Sequence, residues 1–489
     1  EASTQVRIVK SVVGGLPQNP LHLFLILGLY FGCSVPIFNE VYNTSKIVVD
    51  EMFHIPQAQA YCDGRYDIWN PKITTLPGLY IAVKFINFVF ECNTYYLRMF
   101  NLLLSSVNLG LFYVLLNFVY GLCCSRFNIA LQALNLALLP PLYFFAHVFY
   151  TDVLSLTFLL LFTLAVIEKS KYSIIFYGIC SIATRQTNAV WILMIFSQKT
   201  LEVALKSSRV YANSHIQYGK RRSTGMAYEL DPKALKRNYD GDDFLLASNF
   251  HWESEFKYFF NWYMAHDLKN MFFTLVPVLL FAIFVLCNGS IVVGDKEAHT
   301  MTINLPQLLY FLLFYGFFGL PLVLFRLKST LIYMCRNRDV VVILVVFSLV
   351  AVHFNTAVHP YLLADNRHYT FYIWNRWFGK YPEAVYLTIP VYVFLGCSLI
   401  DNLIHQNCIS FYLAYFSWLV PGLCLQRLLE MRYFIIPYII ARLRFPKLPT
   451  PVAVIEFLWY AAINAAFFMV FFTKQVKWDD FEEAQRIIW

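Results

Sequence analysis

Residues 48–80 read VVDEMFHIPQAQAYCDGRYDIWNPKITTLPGLY. Two adjacent carboxylates, Asp50 and Glu51, stand near the start of the stretch, and a Pro77-Gly78 turn ends it beside an apolar helix. Before it runs an apolar segment, Leu21 to Phe38, long enough to cross a bilayer and without the small-residue cleavage site of a secretory signal. A retained spanning helix followed by a polar, aromatic loop decides the fold class: an all-α polytopic membrane protein with its chemistry at one face. Within the loop, Asp50 and His54 are four apart and share a helical face, while Glu51 points about a quarter turn away. Pro56 is expected to start a second short helix, where its missing N–H costs nothing.

Composition agrees. Of 489 residues, 59% are hydrophobic and only 14% charged, with 47 Phe and 33 Tyr, which excludes an ordinary soluble domain. The net charge of +8 does not point to nucleic acid, because the basic residues sit between apolar runs, where the positive-inside rule puts them. Eleven cysteines are scattered, several inside apolar runs such as Cys180 and Cys397, with one adjacent pair at Cys123-Cys124. They show no paired framework and no metal-ligand spacing, and are expected to be packing residues. The chain opens on Glu1 without an initiator Met, as a trimmed chain would.

Arg7 and Lys10 before the first span put the N-terminal side in the cytosol and residues 40–98 in a first lumenal loop. The sequons at Asn43 and Asn288 are expected on that same lumenal side. The run Leu76 to Phe90 is short and interrupted by Lys84, as suits a helix lying on the membrane surface. Spans follow at Met99 to Tyr120, Asn128 to His147 and Val153 to Ile167, and Tyr172 to Ser197 is expected to be two short helices meeting near Arg185. Residues 199–269, with GKRRST and DGDDF, read as a cytosolic loop, partly disordered. Further runs lie at Met271 to Cys287, Leu305 to Leu324 and Val340 to His353, then near 384–399, 409–425, 433–442 and 453–472. The direction of these last four stays open, because Arg376, Arg432 and Arg442 to Lys447 cannot all be assigned to one side. In total roughly 11 to 14 spans are expected in a single transmembrane domain over residues 1–489. No internal repeat, phosphate-cradling glycine loop or metal-ligand cluster is visible.

The polar residues on the predicted lumenal side fall into groups: Asp50, Glu51, His54 and Gln57; Asp152; Arg185 and Gln186; Asp295, Lys296 and His299; Asp365, Asn366, Arg367 and His368. Each charge at membrane depth costs roughly 2.5 to 3.5 kcal/mol, so their gathering points to a site. A carboxylate over the mouth of a bundle can take the proton of an attacking sugar hydroxyl, a role worth roughly 10²- to 10⁴-fold. If the leaving group is a phosphate, one base suffices for an inverting transfer. The structural alternative makes Asp50 a helix cap and Glu51 a solvated acid. Arg367 offers a planar fork of donors to a phosphate and His368 a further donor; the alternative there is a snorkelling Arg and a helix-end His in the aromatic belt Tyr369 to Trp377. Lys296 alone reads as a surface lysine, and Glu430 with Arg432 as an internal ion pair at a span boundary.

Five stretches carry a resemblance: residues 48–80, ATRQTNAVW from Ala183, VVGDKEAHTMTINLPQLLYF from Val292, HPYLLADNRHYTFYIWNR from His359 and LLEMRYFIIPYI from Leu428. Together they resemble the dolichyl-phosphate-glucose-dependent α-1,2-glucosyltransferases of the endoplasmic reticulum, from the first span to about Pro437. The long basic loop and the last residues carry no such likeness. The resemblance implies a GT-C fold, with the site in the lumenal face of a multi-pass bundle in the endoplasmic reticulum membrane and an acid of the first lumenal loop as base. The matching position is Asp50, with Glu51 adjacent and not separable from it by motif. The donor implied is dolichyl β-D-glucosyl phosphate (dolichyl-phosphate-glucose) and the acceptor a diglucosylated lipid-linked oligosaccharide. A β-phosphate donor and an α product imply inversion in one displacement, with no metal or other cofactor. On this basis Arg367, His368, Arg432 and Lys296 are candidates for the donor phosphate. His54, Gln57, Asp152, Arg185, Gln186, Asp295, His299, Asp365 and Asn366 are candidates for the sugars. Competing expectations are a GT-C transferase of another linkage, either an α-1,3-glucosyltransferase or a dolichyl-phosphate-mannose mannosyltransferase, and a membrane transporter. A transporter calls for ionisable residues at midspan, whereas these gather at the lumenal ends.

Overall fold

The computed structural model describes residues 21–121, 124–202, 268–296, 302–355, 365–381, 383–404, 407–426, 428–477 and 484–489. Arg7, Lys10, His299 and nearly all of the 199–269 loop lie outside the described residues. The described chain is helical throughout, its only strand-like pairings being isolated bridges between His368 and Ile488 and between Val476 and Gln485. Among the described residues, seven helices are long and apolar enough to cross a membrane: Leu23–Thr44, Thr94–Tyr120, Thr151–Glu168, Met271–Asn288, Arg338–Asn355, Ala384–Ile404 and Thr450–Thr473. Pro306–Phe318 and Ile409–Cys424 are shorter apolar helices.

Local chemistry sets where helices start and break. The Asn93 side chain accepts the Tyr96 N–H at 3.0 Å and so caps Thr94–Tyr120. Pro140 separates Arg126–Ala137 from Pro140–Phe145, and Gly319 with Pro321 separates Pro306–Phe318 from Leu320–Phe325. The expected pair of helices around Arg185 is present as Lys171–Thr184 and residues 188–202. Pro56, by contrast, starts no helix: it lies inside the single helix Glu51–Cys62. The proline costs one bond to the Met52 carbonyl, and both ends of the helix are anchored, by Glu51 at one end and a disulfide at the other. That disulfide, Cys62–Cys92, corrects the expectation that the cysteines are all packing residues. Its halves lie 30 positions apart in the sequence, and the fold of the loop, not the spacing, brings them together.

Gly78–Ile86 packs Leu79, Tyr80 and Val83 inward and leaves Ile81 and Phe85 exposed, and the apolar edge continues through Phe88 and Val89. Such a one-sided apolar helix suits a membrane surface. A Cβ at Gly78 would lie 2.5 Å from the Ala183 backbone, so only glycine allows this helix to dock against Lys171–Thr184.

Contacts between chain segments distinguish the two ends of the bundle. At the end carrying Asp50, the Asn304 N–H donates to the Cys424 carbonyl at 2.7 Å, the Leu305 N–H to Asn355 Oδ1 at 2.6 Å, and Gln307 Nε2 to the Leu428 carbonyl at 2.8 Å. At the other end Arg326 pairs with Asp401 at 3.1 Å, Tyr120 donates to the Phe445 carbonyl, and Asn407 donates to the Arg444 carbonyl at 2.9 Å. Ile435–Arg442 therefore leads away from the Asp50 end and Thr450–Thr473 returns to it. The direction that the sequence leaves open is resolved: Arg432 lies at the Asp50 end, Arg444 at the opposite one. Between them Arg442 forms a two-pronged, buried ion pair with Glu456, at 3.0 and 2.7 Å.

Candidate active site

Two neighbouring acids have opposite surroundings. Glu51 has no exposed surface: Arg98 donates to it from Nε at 2.9 Å and Nη2 at 2.6 Å, and the N–H groups of Val48 and Phe149 add bonds at 2.9 and 2.7 Å. Arg98 is spent on the same turn, donating to the carbonyls of Ser45 and Lys46 at 2.8 and 3.1 Å. Glu51 is thus a buried brace, not a solvated acid. The Asp50 side chain is 34% exposed and meets Arg432 Nη2 at 3.1 Å, while its N–H donates to the Tyr150 hydroxyl at 3.0 Å. That hydroxyl donates onward to the Val48 carbonyl at 3.1 Å.

Around Asp50 a cluster assembles from four elements. Arg432 is shared between Asp50 and Glu430, and its guanidinium lies over the Tyr150 ring at 5.7 Å. Burial works against its charge, but Glu430 and Asp50 outweigh burial and hold it protonated far above the usual range. Arg185 pairs with Asp152 and lies over the Tyr433 ring at 5.5 Å. Asp152 Oδ2 is buried without a hydrogen-bond donor. Asp50, Asp152 and Glu430 outnumber Arg185 and Arg432 here, so the cluster suits hydroxyl donors better than a second anion. His54 is buried beside it, its Nδ1 2.6 Å from the Tyr80 hydroxyl; burial pushes its pKa down, partly opposed by the charge of Asp50.

Other candidates reach the same end of the bundle, but their polar groups hold backbone. Gln57 accepts the Asn70 N–H at 2.9 Å and donates to the Ile68 carbonyl at 2.7 Å. Gln186 donates to the carbonyls of Thr74 and Ile291 at 2.6 and 3.2 Å, and the Asp295 N–H to the Pro71 carbonyl at 2.9 Å. Lys296 is exposed and donates to the Asn288 carbonyl at 2.5 Å. The Asn288 amide donates to the carbonyls of Ser290 and Val292, at 2.9 Å each, whereas Asn43 is exposed at the end of Leu21–Thr44.

Arg367 donates to Asp365 from Nε at 2.9 Å and Nη2 at 2.8 Å, with Asn366 half-buried between them. Burial opposes the charge of Asp365, yet the Arg367 bonds and nearby His368 outweigh it and hold that carboxyl below its ordinary value. Residues 484–489 then tie this segment to the first loop. The Ile488 N–H donates to the Arg367 carbonyl at 2.7 Å, and His368 Nδ1 lies 3.1 Å from the Trp489 carbonyl. Gln485 Oε1 accepts the Val49 N–H at 3.3 Å, and Arg486 donates to the Thr44 carbonyl at 3.2 Å. Sequence reasoning does not single out Arg98, Tyr150, Tyr433 or Gln485. Arg98 stands at the head of an apolar run and Tyr150 among aromatics, and nothing near Gln485 signals a partner 436 residues away.

A family model described as the DIE2/ALG10 family matches residues 44–443. A Drosophila melanogaster protein, "Dol-P-Glc:Glc(2)Man(9)GlcNAc(2)-PP-Dol alpha-1,2-glucosyltransferase", is 37% identical over 93% of this chain and 96% of its own length. Relatives with the same name from Homo sapiens and Arabidopsis thaliana are 33% and 30% identical, covering 95% and 90% of this chain and 97% and 94% of their own. No solved structure matches the chain. By the extent of these matches, the chain is a member of the DIE2/ALG10 family.

Proposed function

We propose that this chain transfers glucose from dolichyl β-D-glucosyl phosphate to the diglucosylated lipid-linked oligosaccharide, in α-1,2 linkage and with inversion, as the last step of assembling that precursor. The names of the relatives support the substrates, and the surroundings of Asp50 support the chemistry. Asp50 is the acid of the pair left open to a substrate; it takes the proton of the acceptor hydroxyl as oxygen attacks the anomeric carbon and dolichyl phosphate leaves from the opposite face. The glucose ring must stand between base and phosphate, so Arg432, in contact with Asp50, orients the base. Arg367 and His368 take the phosphate, with Lys296 in reserve at the rim. The bare Oδ2 of Asp152 accepts a sugar hydroxyl. These residues perform the steps without a metal.

We place the site on the lumenal face of a GT-C bundle in the endoplasmic reticulum membrane, with roughly 11 to 14 spans. The Cys62–Cys92 bond supports the lumen, since structural disulfides form in oxidising compartments. The observation that carries the function is the split between a sealed Glu51 and an open Asp50 at the start of the matched region. Purified protein given dolichyl-phosphate-glucose and defined mono-, di- and triglucosylated acceptors tests it: transfer is expected to the diglucosylated acceptor alone. Equal transfer to the others, or none to any, overturns the specificity.

A further inference from the structure

Val49, the residue before the proposed base, has φ +44. This is the left-handed region, which a β-branched side chain adopts only where its surroundings impose it. The neighbouring bonds account for Val48 and Asp50: Glu51 accepts the Val48 N–H, and the Tyr150 hydroxyl joins the Val48 carbonyl to the Asp50 N–H. The Val49 N–H goes elsewhere, to the side-chain oxygen of Gln485 at 3.3 Å. Gln485 is itself buried, and its backbone is pinned to Val476 by two bonds, at 2.7 and 2.9 Å.

We infer that Gln485 is a positioning residue for the transfer reaction: its amide holds Val49 in the left-handed conformation that turns the Asp50 carboxylate towards the mouth of the site. The inference rests on Asp50 as base but concerns a residue outside the family-matched region, 44–443. Gln485 touches no reacting atom and acts through the backbone of Val49. A small rotation there swings the carboxylate at position 50 away from the attacking hydroxyl, and misplacement of about 1 Å can cost up to about 10²-fold in rate.

The full-length protein is assayed for glucose transfer with Gln485→Met, which keeps the volume and removes the acceptor. The expected result is a fall in kcat of about tenfold with KM for donor and acceptor within about twofold of wild type. Val49→Gly relaxes the conformation that Gln485 holds, since glycine enters this region freely. Adding it to Gln485→Met is expected to restore kcat to within about threefold of Val49→Gly alone. An unchanged kcat in Gln485→Met, or the same loss with and without Val49→Gly, overturns the inference. Should Gln485→Met fail to fold, recovery of folded, active protein by Val49→Gly supports it and failure to recover overturns it. A wild-type protein that transfers no glucose overturns the proposed function instead, and the two failures are distinct.

Discussion

Arg98 and Glu51 form a two-pronged ion pair at 2.9 and 2.6 Å, with neither side chain exposed. The pair sits where the first loop meets the helix Thr94–Tyr120, and its cost in lost hydration is met only because every oxygen and nearly every donor is engaged. Breaking one side of such a pair costs about 3 to 5 kcal/mol. Glu51→Gln is therefore expected to lower the thermal midpoint and the yield of folded protein while leaving the rate per folded molecule within a few fold. A folded, stable Glu51→Gln with no activity would make Glu51 the base.

Asp50→Asn should behave in the opposite way. The side chain is partly open and pairs with Arg432 at its surface, so the fold survives and the chemistry does not. Asparagine keeps the shape but cannot take a proton at neutral pH. Turnover is expected to fall by roughly 10²-fold or more with donor and acceptor binding nearly intact. If both acids can be replaced without loss of turnover, the base lies elsewhere, and Asp152 is next in line.

Two arginines separate binding from chemistry. Arg367→Lys keeps the charge but loses the fork that holds Asp365 in the segment proposed to take the donor phosphate, and each charged hydrogen bond lost there costs on the order of 1.5 to 3 kcal/mol. A donor KM raised at least about tenfold, with kcat little changed, is the expected result. Arg432→Lys, which loosens the partner of Asp50, is expected to lower kcat instead. Steady-state kinetics with the two effects exchanged would move the phosphate to Arg432.

Acidification reports on His54. Burial holds its pKa below the ordinary 6.5, so the unfolded chain takes up the extra proton. The stability tied to neutral His54 is full above about pH 6.5 and is lost as the pH falls through the lower, folded value. His54→Gln keeps a hydrogen-bonding partner for Tyr80 and removes the titration. Its unfolding midpoint in detergent is expected to depend less on pH below about 6.5 than that of wild type; parallel curves would show that His54 does not titrate with unfolding.

The disulfide links the cap of one loop helix to the approach of the next span. With its halves 30 positions apart in the sequence, its removal is expected to cost about 2 to 4 kcal/mol. Cys62→Ser and Cys92→Ser should lower stability alike, and the double variant no further. Additive losses would mean that the two cysteines are not joined.

Much of this was legible in the sequence because it is local. Helices near 99–120, 153–167, 340–353 and 453–472 follow from apolar length alone, and the break at Arg185 from one polar run inside an apolar one. Asp50 could be singled out with Glu51 but not from it, since their difference lies in Arg98, 47 residues on in Glu51's case, and in Arg432, 382 residues on in Asp50's. The same holds for Cys62 and Cys92. Pro56 misled because its position in a helix depends on what anchors the two ends, which no local rule contains. Arg432 read as half of a pair with Glu430, and so it is; its second partner is what places it in the site.

The reach of Gln485 to Val49 also orders events in time. Synthesis proceeds from the first span onward, so the loop bearing Asp50 is made and inserted hundreds of residues before the segment that secures it. Until then the left-handed turn at Val49 has no acceptor for its N–H, and Arg367 and Tyr369 lack the Ile488 backbone they pair with. A nascent chain arrested before Val476 carries the acids, the disulfide and most of the bundle, but not the clasp that joins its two sides. On the role proposed for Gln485, competence for transfer is thereby deferred until that residue is in place, and a half-built bundle holds its proposed base without the geometry to use it.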